Sequence, residues 1–155
     1  MNPITASVWI DATPEEVFAI ATNFGGCADW LSEVTESRLL TPGPVGVGTK
    51  FSETRRVGGR ESTEEMTVAV FDPPRTCTLH SEAHGAIIST VMMFEADREG
   101  TIVSMDTQVR PTSALAKLMS PMLGIAARRM RKCLVQDLQD LKTAAEKART
   151  VEAGS

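Results

Sequence analysis

The chain has 155 residues, 42% hydrophobic and 23% charged, the size and composition of one ordinary globular domain rather than two. Its 16 basic and 20 acidic residues leave a net charge of −4, which opposes generic attraction to nucleic-acid phosphates; no run of about 18 apolar residues offers a membrane span, and the N-terminus lacks a basic segment followed by an apolar one. Cys27, Cys77 and Cys133 are odd in number, far apart and free of any Cys-x-x-Cys pair, a pattern that fits reduced thiols in a cytoplasmic protein and implies neither metal nor cofactor.

Ile4, Ala6, Val8 and Ile10 alternate with Thr5, Ser7 and Trp9, the period-two pattern of a half-buried strand. Thr13-Pro14-Glu15-Glu16 then reads as a helix start. Thr13 caps, Pro14 stands in the first turn where no amide donor is needed, and Glu16 completes a capping box. Val17, Phe18, Ile20 and Ala21 form the apolar face of that helix. Asn23-Phe24-Gly25-Gly26 ends it, residues 28–31 predict a second short helix, and an extended stretch over 34–40 leads into a loop from Pro42 to Gly48.

From Thr49 to Val109 the sequence predicts a meander of hairpins whose registers can be tested against one another. With Gly58-Gly59 as a two-residue turn, Phe51 faces Met66, Glu53 faces Glu64 and Arg56 faces Glu61. With His84-Gly85 as the next turn, Leu79 meets Thr90 and Cys77 meets Met92; the loop from Asp97 to Gly100 sets Phe94 against Val103 and Met92 against Met105. Each pairing keeps the apolar residues on one side, so independent turns agree on a curved antiparallel sheet with one buried face. That inward set comprises Phe51, Met66, Val68, Val70, Leu79, Ile88, Thr90, Met92, Phe94, Val103 and Met105.

The C-terminal segment changes period. Leu123, Ala127, Met130, Leu134, Leu138, Leu141 and Ala145 recur at spacings of four and three, which places them on one stripe of a long helix from Pro121 to Lys147. A portion from about Ser113 joins it through a kink at Pro121, and residues 150–155 are expected to fray. Residues 1–149 thus read as a single domain.

Several pieces of this order resemble the SRPBCC superfamily of helix-grip proteins, which includes START-like lipid-transfer domains and polyketide cyclase/dehydrase-like proteins. They are Ile10-Asp11-Ala12-Thr13-Pro14-Glu15-Glu16-Val17-Phe18 at the first junction, Trp30-Leu31 entering the second strand, and Gly46-Val47-Gly48-Thr49-Lys50-Phe51. Asp72-Pro73-Pro74-Arg75, Gly100-Thr101 and the terminal Asp137-Leu138-Gln139-Asp140-Leu141-Lys142 complete the set, over residues 4–146. The resemblance implies an α+β helix-grip fold, a curved seven-stranded antiparallel sheet wrapped around the long C-terminal helix with two short helices after the first strand. It also implies a cavity between sheet and helix for an apolar or amphipathic ligand.

On that reading the ligand-facing residues are Phe51, Met66, Leu79, Thr90, Met92 and Met105 from the sheet, Leu123 and Met130 from the helix, and Trp30 at the mouth, for which structural packing is the plainer role. Eight methionines and no tyrosine favour an adaptable apolar pocket with few directional hydroxyls. Glu53, Arg55 and Glu64 form its polar end. Adjacent carboxylates in a partly dry site push one pKa up, so the group can orient a ligand or act as an acid, while a salt-bridged, solvated hairpin is the plainer alternative. His80, Glu82 and His84 share a strand face, but parity puts them outside and residues i and i+4 on a strand stand roughly 13 Å apart, too far for one ion. Cys27 and Cys77 lack a neighbouring histidine, and Arg128, Arg129, Arg131 and Lys132 read as the solvated face of the helix. The expectation is a carrier or sensor for a small hydrophobic or aromatic molecule, with a polyketide cyclase/dehydrase-like enzyme as the alternative.

Overall fold

The computed structural model describes residues 3–83, 85–118 and 123–153, without the side chains of Ala116, Leu123 and Ala153. The alternating start of the chain forms β1 (Ile4–Ile10), with Ile4 and Ile10 buried and Thr5, Ser7 and Trp9 exposed. Helix α1 (Pro14–Ala21) begins where the cap requires. Thr13 Oγ1 accepts a hydrogen bond from the Glu16 amide at 3.2 Å and donates to the Glu16 carboxylate at 3.0 Å. The return arm of the box therefore runs from the threonine hydroxyl rather than from its backbone.

Helix α1 ends at Ala21 with Thr22 as its C-cap, so the chain breaks where expected, but the glycine pair then lies inside the next helix. Phe24–Asp29 form one 3-10 helix, in which the Gly26 amide donates to Asn23 O at 3.0 Å; the Trp30 amide closes its end on Cys27 O at 3.2 Å. The short helix expected at 28–31 thus lies earlier in the chain. The tighter three-residue repeat stacks Phe24, Cys27 and Trp30 on one side, the first two buried and the third half-buried.

Strands β2 (Val34–Leu39), β3 (Lys50–Val57), β4 (Arg60–Asp72), β5 (Thr76–Ala83), β6 (Ala86–Asp97) and β7 (Gly100–Pro111) join β1 in one antiparallel sheet of order β1-β7-β6-β5-β4-β3-β2. Phe51 pairs with Met66, Glu53 with Glu64, Leu79 with Thr90, Cys77 with Met92, and Met92 with Met105, as turn parity requires. Gly58 and Gly59 both take positive φ, 60° and 79°, which is the twist a two-residue hairpin turn needs. Gly100 matters for a different reason. A Cβ there would lie 2.4 Å from Ile10 O and 2.6 Å from the Trp9 ring, so β7 can begin beside β1 only without a side chain.

Within the meander from β3 to β7, parity fails at one place. A bulge between Val68 and Val70 inserts Ala69 into β4 without a partner, and beyond it the inward and outward positions exchange. Val68 is 1% exposed but Val70 is 45% exposed, so Val70 does not belong to the inward set. Phe71 takes its place, packing its ring 5.4 Å from Phe18, which also meets Phe94 at 5.0 Å.

After β7 the short α2 (Ala114–Leu118) precedes α3 (Leu123–Ala153), which runs past Lys147 and through Thr150; the expected kink at Pro121 lies outside the described residues. Leu134, Leu138, Leu141 and Ala145 are buried against the sheet, while Ala127 and Met130 at the start of the stripe are half-buried. The far half of α3 is also fastened by polar contacts. Lys142 Nζ donates to Trp9 O at 2.9 Å and to Glu146, Glu146 accepts from the Asp11 amide at 3.0 Å, and Arg149 pairs with Asp11 at 2.8 Å. Asp140 accepts from the Ser32 amide and hydroxyl, both at 2.8 Å. The result is an α+β helix-grip fold, a curved sheet of seven strands closed around α3.

Candidate functional site

Between the inner face of the sheet, the 3-10 helix and α3 lies a cavity of about 200 Å³. Phe51, Met66, Leu79, Thr90, Met92 and Met105 line it from the sheet, Met130 and Leu134 from α3, and Phe24, Cys27 and Trp30 from the 3-10 helix and its end. Phe24 stacks on Phe51 at 4.2 Å with the rings nearly parallel. The Thr90 hydroxyl shares a 2.8 Å hydrogen bond with that of Thr107, so the polar atoms of the mid-sheet satisfy each other and the walls around them stay apolar. Leu123 stands at the first position of α3, and its side chain lies outside the described residues. His80 and Glu82 are exposed, and His84 lies outside the described residues.

The polar end is built on Arg55. Its Nη1 donates to Asp137 at 2.9 Å and to Glu33 at 3.3 Å; its Nη2 donates to Asp137 at 3.1 Å and to Glu53 at 2.9 Å. Asp137 is held from α3 by a two-pronged contact, Glu53 comes from the same face of β3, and Glu33 precedes β2. Glu64 faces Glu53 across the hairpin and borders the cavity, yet it is exposed and is no partner of Arg55. Two terminal nitrogens carry four N–H bonds, and three other carboxylates already use them. The expected triad of Glu53, Arg55 and Glu64 is therefore replaced by Arg55 with Glu53, Glu33 and Asp137.

Three acids around one cation cannot all be neutralised. Burial raises the Asp137 pKa to about 6; the Arg55 contact works against the shift, and Glu53 and Glu33 add to it. Burial also opposes the charge on Arg55, but the hydrogen bond and charge of Asp137, followed by Glu53, outweigh it and hold the guanidinium above its ordinary value. Cys27 and Cys77 are pushed up to about 12, mainly by burial, and Cys133 is raised by burial and then by Glu33. These thiols are poor nucleophiles. Trp30 keeps one unmet demand, since its Nε1 is buried without a hydrogen-bond partner among the described residues.

Asp137 and Glu33 are the charged residues of the site that reasoning from the sequence missed, and for Asp137 a signal existed. Asp137 follows Met130 by seven residues and Leu134 by three, so it falls within the apolar stripe of α3, where an acid needs a buried partner.

The family model for polyketide cyclase / dehydrase and lipid transport matches residues 1–146. The chain belongs to this family. No curated protein sequence matches it, whereas solved structures of the same fold do. TTHA0849 from Thermus thermophilus is similar with a TM-score of 0.75 at 19% identity, over 94% of this chain and 98% of that one. A START superfamily protein from Mycobacterium smegmatis gives 0.74 at 13% identity, over 96% and 99%. The di-domain ARO/CYC BexL from the BE-7585A biosynthetic pathway gives 0.70 at 21% identity, over 94% of this chain but 48% of that one. These identities establish a shared fold. Within the polyketide cyclase / dehydrase and lipid transport family, the chemistry of a given member rests on its own cavity.

Proposed function

We propose that the protein binds a small hydrophobic or aromatic molecule in the cavity between sheet and α3, as a carrier or sensor. One observation carries this reading: the walls are predominantly apolar, and the charged groups other than Glu64 gather at one end where the terminal nitrogens of Arg55 are spent on protein carboxylates. A void of about 150 Å³ with apolar walls is enough for benzene. By that scale a cavity of about 200 Å³ suits one or two fused rings or a short alkyl chain. Two inexpensive measurements test this. Native mass spectrometry should detect a retained small molecule. Titration with 2-naphthol should saturate the fluorescence of Trp30 in a Trp9→Phe background, where Trp30 is the sole tryptophan, and Leu79→Phe should weaken the binding. Absence of both retention and saturation refutes the reading.

Asp137 favours a second reading, a polyketide cyclase/dehydrase-like enzyme. A carboxyl group with a pKa of about 6 at the edge of an apolar cavity can hold or release a proton near neutrality, as general acid catalysis requires. Intramolecular aldol closure of a linear poly-β-ketone, in which a carbonyl oxygen becomes a hydroxyl and leaves as water with the neighbouring α-proton, followed by mass and abolished in Asp137→Asn, would support this role. An unchanged rate in that variant would leave the cavity a binding site alone.

A further inference from the structure

On the other side of Cys133 from the cavity lies a second concavity, between the β3–β4 turn and the first turns of α3. Arg60 enters it from the turn; Arg128, Arg129, Arg131 and Lys132 enter from the helix. All five are exposed, and none forms a salt bridge among the described residues. The one carboxylate in the groove, Glu33, is itself paired with Arg55 at 3.3 Å. A chain of net charge −4 thus gathers five uncompensated cations in one hollow, from two separate elements. Such a cluster is self-repelling unless an anion sits among its members.

The shape and the chemistry both narrow the anion. Arginine presents a planar fork that matches phosphate oxygens in pairs, and four of the five cations are arginines. Cys133 lines both the cavity and the groove, so one molecule can bring an apolar part to one and a charged part to the other. Ile125 is 60% exposed and precedes Arg129 by four residues and Lys132 by seven, which puts apolar surface on the same helical face as the cations. The polar end of the cavity offers nothing to an anion, because Arg55 is already surrounded by carboxylates.

We propose that this groove is a phosphate-binding subsite that holds the head of an amphiphile whose apolar part occupies the cavity. The proposal rests on the cavity being a ligand site, and the experiment keeps the two apart. The intact protein is titrated by calorimetry at low salt with inorganic pyrophosphate, decanol and decyl phosphate, the last two below their aggregation limits. Pyrophosphate should bind on its own, and decyl phosphate should bind at least about tenfold tighter than decanol. The advantage should shrink as salt is added and disappear in the exposed double variant Arg129→Gln/Lys132→Gln. Arg98→Gln, at an exposed position outside the groove, should leave it intact.

Equal affinity for decanol and decyl phosphate, or an advantage that survives the double variant, overturns the proposal. Binding of pyrophosphate without decanol would remove the cavity reading and reduce the groove to an anion site without the amphiphile. A third arm uses vesicles containing phosphatidic acid. Retention on these vesicles, lost in the double variant and with no gain for monomeric decyl phosphate, would assign the cations to a membrane surface and overturn the subsite.

Discussion

Replacing Asp137 by Asn tests the polar end of the cavity most directly, because it removes the ionisation and keeps the shape. The carboxyl group moves from an ordinary 3.8 to about 6 in the folded protein. Each unit is worth roughly 1.4 kcal/mol, so the shift corresponds to on the order of 3 kcal/mol. The sign follows from linkage: a folded-state pKa raised above the unfolded one means that the native state holds the proton more tightly. The associated stability is present in full below about pH 4 and is lost as pH rises through about 6. The amide of the variant has no such proton to lose. Urea unfolding of native protein and variant across pH 4 to 7 should therefore show their stability difference drifting by up to about 3 kcal/mol, with the variant gaining relative to the native protein as pH rises. Taking the difference cancels the carboxylates remote from Arg55, and any fixed loss from exchanging one Arg55 contact for an amide appears as a constant offset. A flat difference across the range would refute the burial-raised pKa of Asp137.

Leu134→Ala should destabilise the fold by roughly 2 to 5 kcal/mol through the void it leaves, whereas Arg131→Ala should stay within about 0.5 kcal/mol; chemical denaturation distinguishes them, and equal effects would contradict the helical phase of α3. The bulge in β4 makes an equally direct claim. Val68→Ala should cost about 1 to 3 kcal/mol and Val70→Ala less than about 0.5, and the reverse order would mean that β4 is in uninterrupted register. Gly100→Ala should lower the thermal midpoint sharply because its methyl group meets a backbone oxygen, and a midpoint within a degree or so of the native one would refute that contact.

The sheet registers were legible because two-residue turns leave no freedom. Once Gly58-Gly59 is fixed, Phe51 has no choice of partner. The bulge at Ala69 was not legible, since Val68 and Val70 are the same residue type and neither carries a breaker that would reveal a change of side. Phe24 and Cys27 were obscured by the glycines between them, which signal a loop in an α-helical frame and are tolerated in a 3-10 one. At the site, period-two counting on β3 and β4 brought Glu53, Arg55 and Glu64 to one face, but it describes one sheet at a time. Choosing between Glu64 and Asp137 requires the distance between sheet and α3, and only the folded chain supplies that. The basic run on α3 was visible, whereas its convergence with Arg60 from a hairpin tip far away in sequence was not.

The long helix is anchored unevenly. Lys142, Glu146 and Arg149 bind it to the end of β1, and Leu138, Leu141 and Ala145 are sealed beneath it, whereas Ala127 and Met130 remain half open to water. The polar clasp and the mouth of the cavity are thereby assigned to opposite ends of the same element. Substitutions around Met130 can reshape what enters the cavity while the clasp at Trp9 and Asp11 keeps the architecture. This division of labour gives one scaffold room to acquire a different guest without first having to become a different fold.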